Sequence, residues 1–262
     1  MMELAANLSW LYRELPWSER FAAARADGFR AAEILMPYDE KPEWYAQKAR
    51  ESGVELVLIN TPVGEGQAFR GMAALPDMQA EFRAGFDRAL AVTAATGCRR
   101  IHFMAGHVEG LDHAACTDSL RRSIAYALKL AERDGVVLML EPLNRSDMGG
   151  YCYWLPEQVI ALLREFDSPH LRLQFDLYHC AMEGLDLLEQ AQAAAPWIGH
   201  VQVAGTPGRH EPDLAKGSFL QAMTALPGLG YDSWVGCEYG PRGTAAEGLG
   251  WCEPLRRAGV LA

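Results

Sequence analysis

The chain lacks any C-x-x-C pair, has no apolar run near the roughly 18 residues that cross a bilayer, and carries only 24 bases against 34 acids. Each absence removes a class of function. The six cysteines (98, 116, 152, 180, 237 and 252) are scattered, which excludes a disulfide framework or a cysteine-built zinc site and predicts reduced thiols. Cys98 and Cys237 stand in apolar surroundings and read as core filler. A net charge of −10 leaves no basic face for phosphates, so nucleic acid is not expected as a partner. The opening MMELAANLSW has neither the basic segment nor the cleavage pattern of an export signal. The expectation is therefore a cytoplasmic protein with no membrane partner. The glycines of GEGQAFRG, at 64, 66 and 71, have the wrong spacing for a dinucleotide loop. No Walker A sequence, G-x-S-x-G elbow or strand-end lysine is present, so nucleotides, redox cofactors and Schiff-base chemistry have no support.

What is present is a repeat. A helix-forming stretch, a glycine and an apolar run recur as ARADGFRAAEIL, ARESGVELVLIN, AATGCRRIHFMAG, AERDGVVLMLEP and PGLGYDSWVGCE. The glycine fits the left-handed position beyond a helix end, and the run that follows is apolar on both faces, as in a buried parallel strand. Strands are predicted at 3–8, 31–35, 54–60, 100–105, 136–141, 171–175, 198–203 and 234–238. Met78, Phe82, Phe86 and Leu90, and again Leu120, Ile124 and Leu128, form helical stripes that would pack outside the sheet. Eight alternating units in 262 residues, half of them hydrophobic, predict an α/β fold: one closed (β/α)8 barrel spanning residues 1–262. The longer connections follow strands rather than helices, at 61–75, 106–112, 142–155 and 204–217. Loops on that edge build the active site of such a barrel.

Four successive apolar runs stop at an oxygen-bearing side chain: Glu141, Asp176, Gln202 and Glu238. Any one of them alone reads as a helix cap or an arginine partner. The four together, delivered to one sheet edge, predict an acid/base or divalent-cation site. Two carboxylates flanking a small substrate can take a proton from one carbon and return it at the next. A neutral amide oxygen beside carboxylates suits Mg²⁺ or Mn²⁺ better than zinc. His179, three residues after Asp176, either reaches a ligand or packs within the turn. His200 shares a strand face with Gln202 and is either its partner or a satisfied core residue. Glu33, His102 and His107 could line the pocket, though each alone reads as structural.

The motifs EPLN, QFDLYH, GHVQVAGTPGRHEPD and GYDSWVGCEY, in this order and with the opening AANLSWLYRELPWSERFAAA, resemble the hydroxypyruvate isomerase family of the xylose-isomerase-like TIM barrels. The resemblance implies interconversion of hydroxypyruvate and 2-hydroxy-3-oxopropanoate, with Glu141 and Glu238 as the acid/base pair. It also implies a divalent ion held by Glu141, Asp176, Gln202 and Glu238, with His179 and Arg209 near the substrate. The chain departs from the family pattern at Ala215–Ser218, at Gly240, and at Gly150 and Cys152, all on the substrate side. A small sugar acid needs positive anchors, for which Arg209, His210, Arg242 and Lys216 are the candidates. A 2-oxotetronate isomerase or a ketose 3-epimerase would use the same site. An endonuclease IV-like enzyme would need more histidines and a basic groove, and a non-catalytic sugar-binding barrel would not need two opposed glutamates. Trp10, Trp17 and Trp44, read as surface aromatics, would allow a homo-oligomer.

Overall fold

A computed structural model describes residues 1–262, Gln67 excepted. Its strands are β1 (Glu3–Asn7), β2 (Ala31–Ile34), β3 (Glu55–Asn60), β4 (Arg100–His102), β5 (Val137–Leu140), β6 (Leu171–Asp176), β7 (Ile198–Val203) and β8 (Trp234–Cys237). They pair in parallel in chain order, and β8 returns to β1 to close the barrel. Around it run α1 (Trp17–Ala26), α2 (Pro42–Ser52), α3 (Gln79–Thr96), α4 (His113–Asp134), α5 (Pro156–Phe166), α6 (Leu177–Met182), α7 (Leu187–Ala194), α8 (Phe219–Ala225), α9 (Ala245–Gly248) and α10 (Glu253–Arg257). All eight predicted strands are found. β4 is shorter than predicted because side chains replace its ladder partners: Met104 N–H donates to Thr61 Oγ1 (3.0 Å) and Ala105 N–H to the Tyr151 hydroxyl (2.9 Å).

The two longest helices show why the layers hold. α3 buries Phe82, Phe86 and Leu90, and α4 buries Leu120, Ile124 and Leu128, each set being one stripe at helical spacing. Phe82 meets Phe103 edge-on at 5.1 Å, tying α3 to the segment after β4. Asp112 accepts hydrogen bonds from the N–H groups of Ala114 (2.8 Å) and Ala115 (3.1 Å), which starts α4 by satisfying donors the helix leaves open. Cys98 and Cys237 are buried, as their apolar surroundings predict. No helix among the described residues is long and apolar enough to cross a membrane.

At the amino end of the barrel Ala5, Ala31 and Val57 form a small apolar cluster backed by Trp234. That plug leaves the carboxyl end as the open one. There the loops after β3, β4 and β5 are stitched together by backbone bonds, Ala74 N–H to Ala105 O (2.7 Å) and Val108 N–H to Gly150 O (2.7 Å). Gly71 makes the first of these approaches possible. It holds φ +111°, and a Cβ there would stand 2.2 Å from the Met104 carbonyl oxygen.

Candidate active site

Glu141 directly follows β5, Asp176 ends β6 and Glu238 directly follows β8. All three turn inward and are 3%, 1% and 6% exposed. Above them opens a cavity of about 380 Å³ lined by Glu141, His179, Arg209 and Glu238, by His102, Asn60, Arg70 and Asp147, and by an apolar wall including Leu35, Met36, Val63, Phe69 and Met104. The carboxylates are bound into one polar network. Gln174 Nε2 donates to Glu141 Oε2 (2.9 Å) and to Gln202 Oε1 (2.6 Å). Gln202 Nε2 in turn donates to Glu238 Oε2 (2.6 Å) and to Glu33 Oε2 (2.9 Å). Glu33 lies beneath on the barrel axis, where it also takes Asn7 Nδ2 (3.0 Å) and His200 Nε2 (2.5 Å). A Cβ on Gly236 would lie 2.0 Å from Glu33 Oε1, so β8 must be bare at that point.

Gln202 thus differs from its expected role as an oxygen donor. Its oxygen is taken by Gln174, and its amino end faces two carboxylates, which demand donors. A cation bound at Glu238 would reverse the demand there and favour the opposite turn of the amide.

Arg209 balances the charge from above. Its Nη2 lies 2.7 Å from Glu238 Oε1 and 3.6 Å from Asp176 Oδ2. The guanidinium also sits against the rings of Trp10 (4.9 Å) and Tyr178 (4.8 Å). Its backbone is held at φ +52°, a left-handed conformation unusual for arginine. Burial works against this charge, yet the surrounding carboxylates of Glu238, Asp176 and Glu141 hold its pKa above the ordinary value.

The acids also shift upward, which for them disfavours the charged form. Burial, then the charges of Glu238 and Asp176, push the Glu141 carboxyl well above the usual range. Burial raises Glu238 to about 8, with Arg209 pulling down and Asp176 pushing up. Burial likewise raises Asp176 to about 6 against the pull of Arg209. Three carboxyls this close cannot all stay ionised without a further cation, so they share protons at neutral pH.

Both histidines of the pocket are neutral. Burial lowers His102 to about 3, and burial followed by Arg209 lowers His179 well below its ordinary value. The backbone N–H of Asn144 donates to His179 Nδ1 (3.0 Å), which puts the ring proton on Nε2. Nε2 faces Glu141 Oε1 at 3.8 Å and Asp176 Oδ2 at 3.7 Å. Those two oxygens are buried and have no hydrogen-bond partner among the described residues. One ligand atom from each of Glu141, Asp176 and His179 falls within 4.8 Å of the others, spacing that fits a metal ion. The orphaned oxygens are the better donors, because Asn144 commits His179 Nε2 to giving a hydrogen bond. Asp176 serves two neighbours: its Oδ1 accepts from Tyr178 N–H (2.8 Å) to start α6, leaving Oδ2 for the site.

Other candidates lie elsewhere. His210 does not line the cavity; its Nδ1 faces the Gly240 carbonyl at 2.7 Å. Arg242 pairs with Glu211 (3.0 Å), and Lys216 Nζ reaches the Thr206 carbonyl (3.3 Å) beside a different groove. His107 lies near Glu109 at 3.5 Å, outside the lining. His200 is the partner of Glu33, one step below Gln202. Trp10 packs on Arg209 instead of standing on the surface. Sequence reasoning passed over Gln174, although it lies two residues before Asp176 and hence on the same strand face. It also passed over Arg70, which no motif marks. His102, read as structural, meets Glu141 Oε2 at 3.1 Å.

The family model described as the xylose isomerase-like TIM barrel matches residues 21–255. A 2-oxo-tetronate isomerase of Cupriavidus necator is 39% identical over 97% of this chain and 98% of its own. A hydroxypyruvate isomerase of Escherichia coli K12 is 32% identical over 98% of this chain and 100% of its own. Among solved structures, one from Brucella melitensis described as an AP endonuclease of family 2 superposes with TM-score 0.92 at 37% identity, covering 97% of this chain and 99% of that one. A D-psicose 3-epimerase of Clostridium cellulolyticum, with TM-score 0.76 and 17% identity over 94% of this chain and 88% of that one, shares the fold. The chain belongs to the xylose isomerase-like TIM barrel family and stands among its hydroxypyruvate and 2-oxo-tetronate isomerases.

Proposed function

We propose that this enzyme interconverts hydroxypyruvate and 2-hydroxy-3-oxopropanoate by moving a proton between C3 and C2 through an enediol. The observation that carries the reading is the pair of buried glutamates, Glu141 and Glu238, both with raised pKa and joined through Gln174 and Gln202 across one cavity floor. One carboxylate removes the C3 proton while the other, protonated, supplies C2; the hydroxyl proton passes from O3 to O2. Positioned acid/base groups of this kind contribute about 10²–10⁴-fold to rate. His179 Nε2–H and the Arg209 guanidinium are the donors best placed to steady the oxygens, and the apolar wall excludes water from the enediol. A divalent ion, Mg²⁺ or Mn²⁺, would be held by Glu141, Asp176 and Glu238, with Gln202 if its amide turns. When bound it would polarise the substrate's vicinal oxygens.

A second reading, isomerisation of 2-oxotetronates, is favoured by the 39% identity to the Cupriavidus necator protein and by a cavity of about 380 Å³, which has room for a fourth carbon. The endonuclease description carried by the Brucella protein finds no counterpart in a chain of net charge −10 whose cavity is lined by two histidines, His102 and His179. The deciding experiment is a heavy-water assay of hydroxypyruvate, 2-oxotetronates and free ketoses, read by deuterium position and product identity. Turnover of the acids with deuterium at the new carbinol carbon is expected. Activity confined to neutral ketoses, or proton exchange returning the epimer alone, would reject the isomerase reading.

A further inference from the structure

We propose that Arg70 anchors the substrate's carboxylate and thereby selects acids over neutral sugars; this rests on the sugar-acid reading above. Two guanidinium groups line the cavity, Arg70 and Arg209. The charge of Arg209 is balanced by Glu238 (2.7 Å) and Asp176 (3.6 Å), which leaves it able to donate to a neutral oxygen but not to hold a further anion. Its charge is what permits the buried acids to exist together, so a substrate carboxylate there would add a further negative charge to an acidic floor.

Arg70 is in the opposite condition. Nη2 donates to the Asp147 carbonyl (2.9 Å) and Nη1 to the Gly149 carbonyl (3.1 Å), and the structure shows no salt bridge to it within 4.0 Å among the described residues. Backbone carbonyls orient a guanidinium without neutralising it. Asp147 forms no ion pair with it; its Oδ2 accepts from Tyr178 Oη (2.6 Å) and Asn144 Nδ2 (3.1 Å), and its charge reaches Arg70 only at longer range. The guanidinium faces the cavity with backbone carbonyls as its hydrogen-bond partners and the Asp147 carboxylate as a charged neighbour, and its remaining N–H groups can donate to a carboxylate.

Its position is also fixed from two sides. Gly71, the next residue, packs directly on the Met104 carbonyl, and the guanidinium is tied to the loop after β5. Phe69 lies against its other side at 4.6 Å. The loop after β3 stands across the mouth from β7 and β8. An acid held there directs its adjoining carbons down toward Glu141 and Glu238, whereas Arg242 and Lys216 belong to other surfaces.

The test compares Arg70→Met and Arg70→Lys with the unaltered enzyme on hydroxypyruvate and on dihydroxyacetone, the same skeleton with a neutral CH₂OH in place of the carboxylate. Dihydroxyacetone is read by deuterium uptake from heavy water. Arg70→Met should raise KM for hydroxypyruvate roughly 10- to 100-fold, the range of a lost charge-assisted hydrogen bond, with little change in kcat. Arg70→Lys should fall between, and exchange into dihydroxyacetone should be unchanged in both. An unaltered KM for the acid, or an equal loss on both compounds, overturns the anchor; the latter would mark Arg70 as a tie between loops. If the unaltered enzyme takes dihydroxyacetone and no acid, the functional reading itself falls, a result separable from the other two.

Discussion

The two halves of the barrel mouth are built to different rules. The side formed by β5 to β8 contributes Glu141, Asp176, Gln202 and Glu238 from strand ends, with His179 and Arg209 just beyond them. The side formed by β2 to β4 contributes Leu35, Met36, Val63, Phe69 and Met104, with Asn60, His102 and Arg70 among them. The proton chemistry proposed for this enzyme falls on the first half, at strand ends whose acids are each held by a neighbour. The second half shapes the cavity and keeps it dry, and its exposed member, Phe69, is 47% accessible on a loop. On the proposals made above, chemistry and selection fall on opposite walls, and substitutions on each should have different signatures.

The largest effect is expected on the acidic side. Glu141→Gln and Glu238→Gln should each lower turnover by about 10²–10⁴-fold while leaving the fold intact, since the amide is isosteric. Measured kcat and deuterium exchange check this, and near-normal exchange in either variant would remove that residue from the acid/base pair.

The same half also predicts a pH dependence of stability. Glu238 holds its proton up to about 8 in the folded chain and releases it near the ordinary carboxylate value when unfolded, and Asp176 behaves likewise up to about 6. Between those limits the folded state binds more protons, so stability is greatest at the acidic end of this window and is lost as pH rises through 8. The ion-free melting midpoint should therefore fall from pH 6 to pH 8.5. Mn²⁺ should restore it at the alkaline end by replacing the missing protons. A midpoint that rises over this range would contradict the burial of these charges.

The smallest effect belongs to the apolar wall. Phe69→Ala removes a ring that is about half buried, a loss of about 1 kcal/mol of apolar contact, so kcat/KM should drop by no more than about tenfold. Steady-state kinetics on hydroxypyruvate decide it. A loss as large as that of the glutamate variants would end the division between the two walls.

The barrel was legible in the sequence because its strands are buried on both faces and its helices end in glycine, two signals that are local. The acids at strand ends were legible for the same reason: the strand period tells where each side chain points. What local pattern could not supply was the partner. Arg242 and Lys216 looked like anchors until Glu211 and the Thr206 carbonyl were seen to claim them. Gln202 looked like an oxygen donor until Gln174 took its oxygen. Arg70 sits in a long loop with no periodicity, and only the folded chain brings it to the cavity.

The bare point on β8 reaches further than its size. With the Glu33 carboxylate filling the space where a side chain at position 236 would begin, the two positions form one unit of inheritance. A methyl group at 236 would force the carboxylate of Glu33 to shift, and with it the bonds that hold His200, Asn7 and Gln202. A change at 236 is therefore felt along the barrel axis, at the buried polar floor beneath the cavity, before it is felt anywhere on the surface.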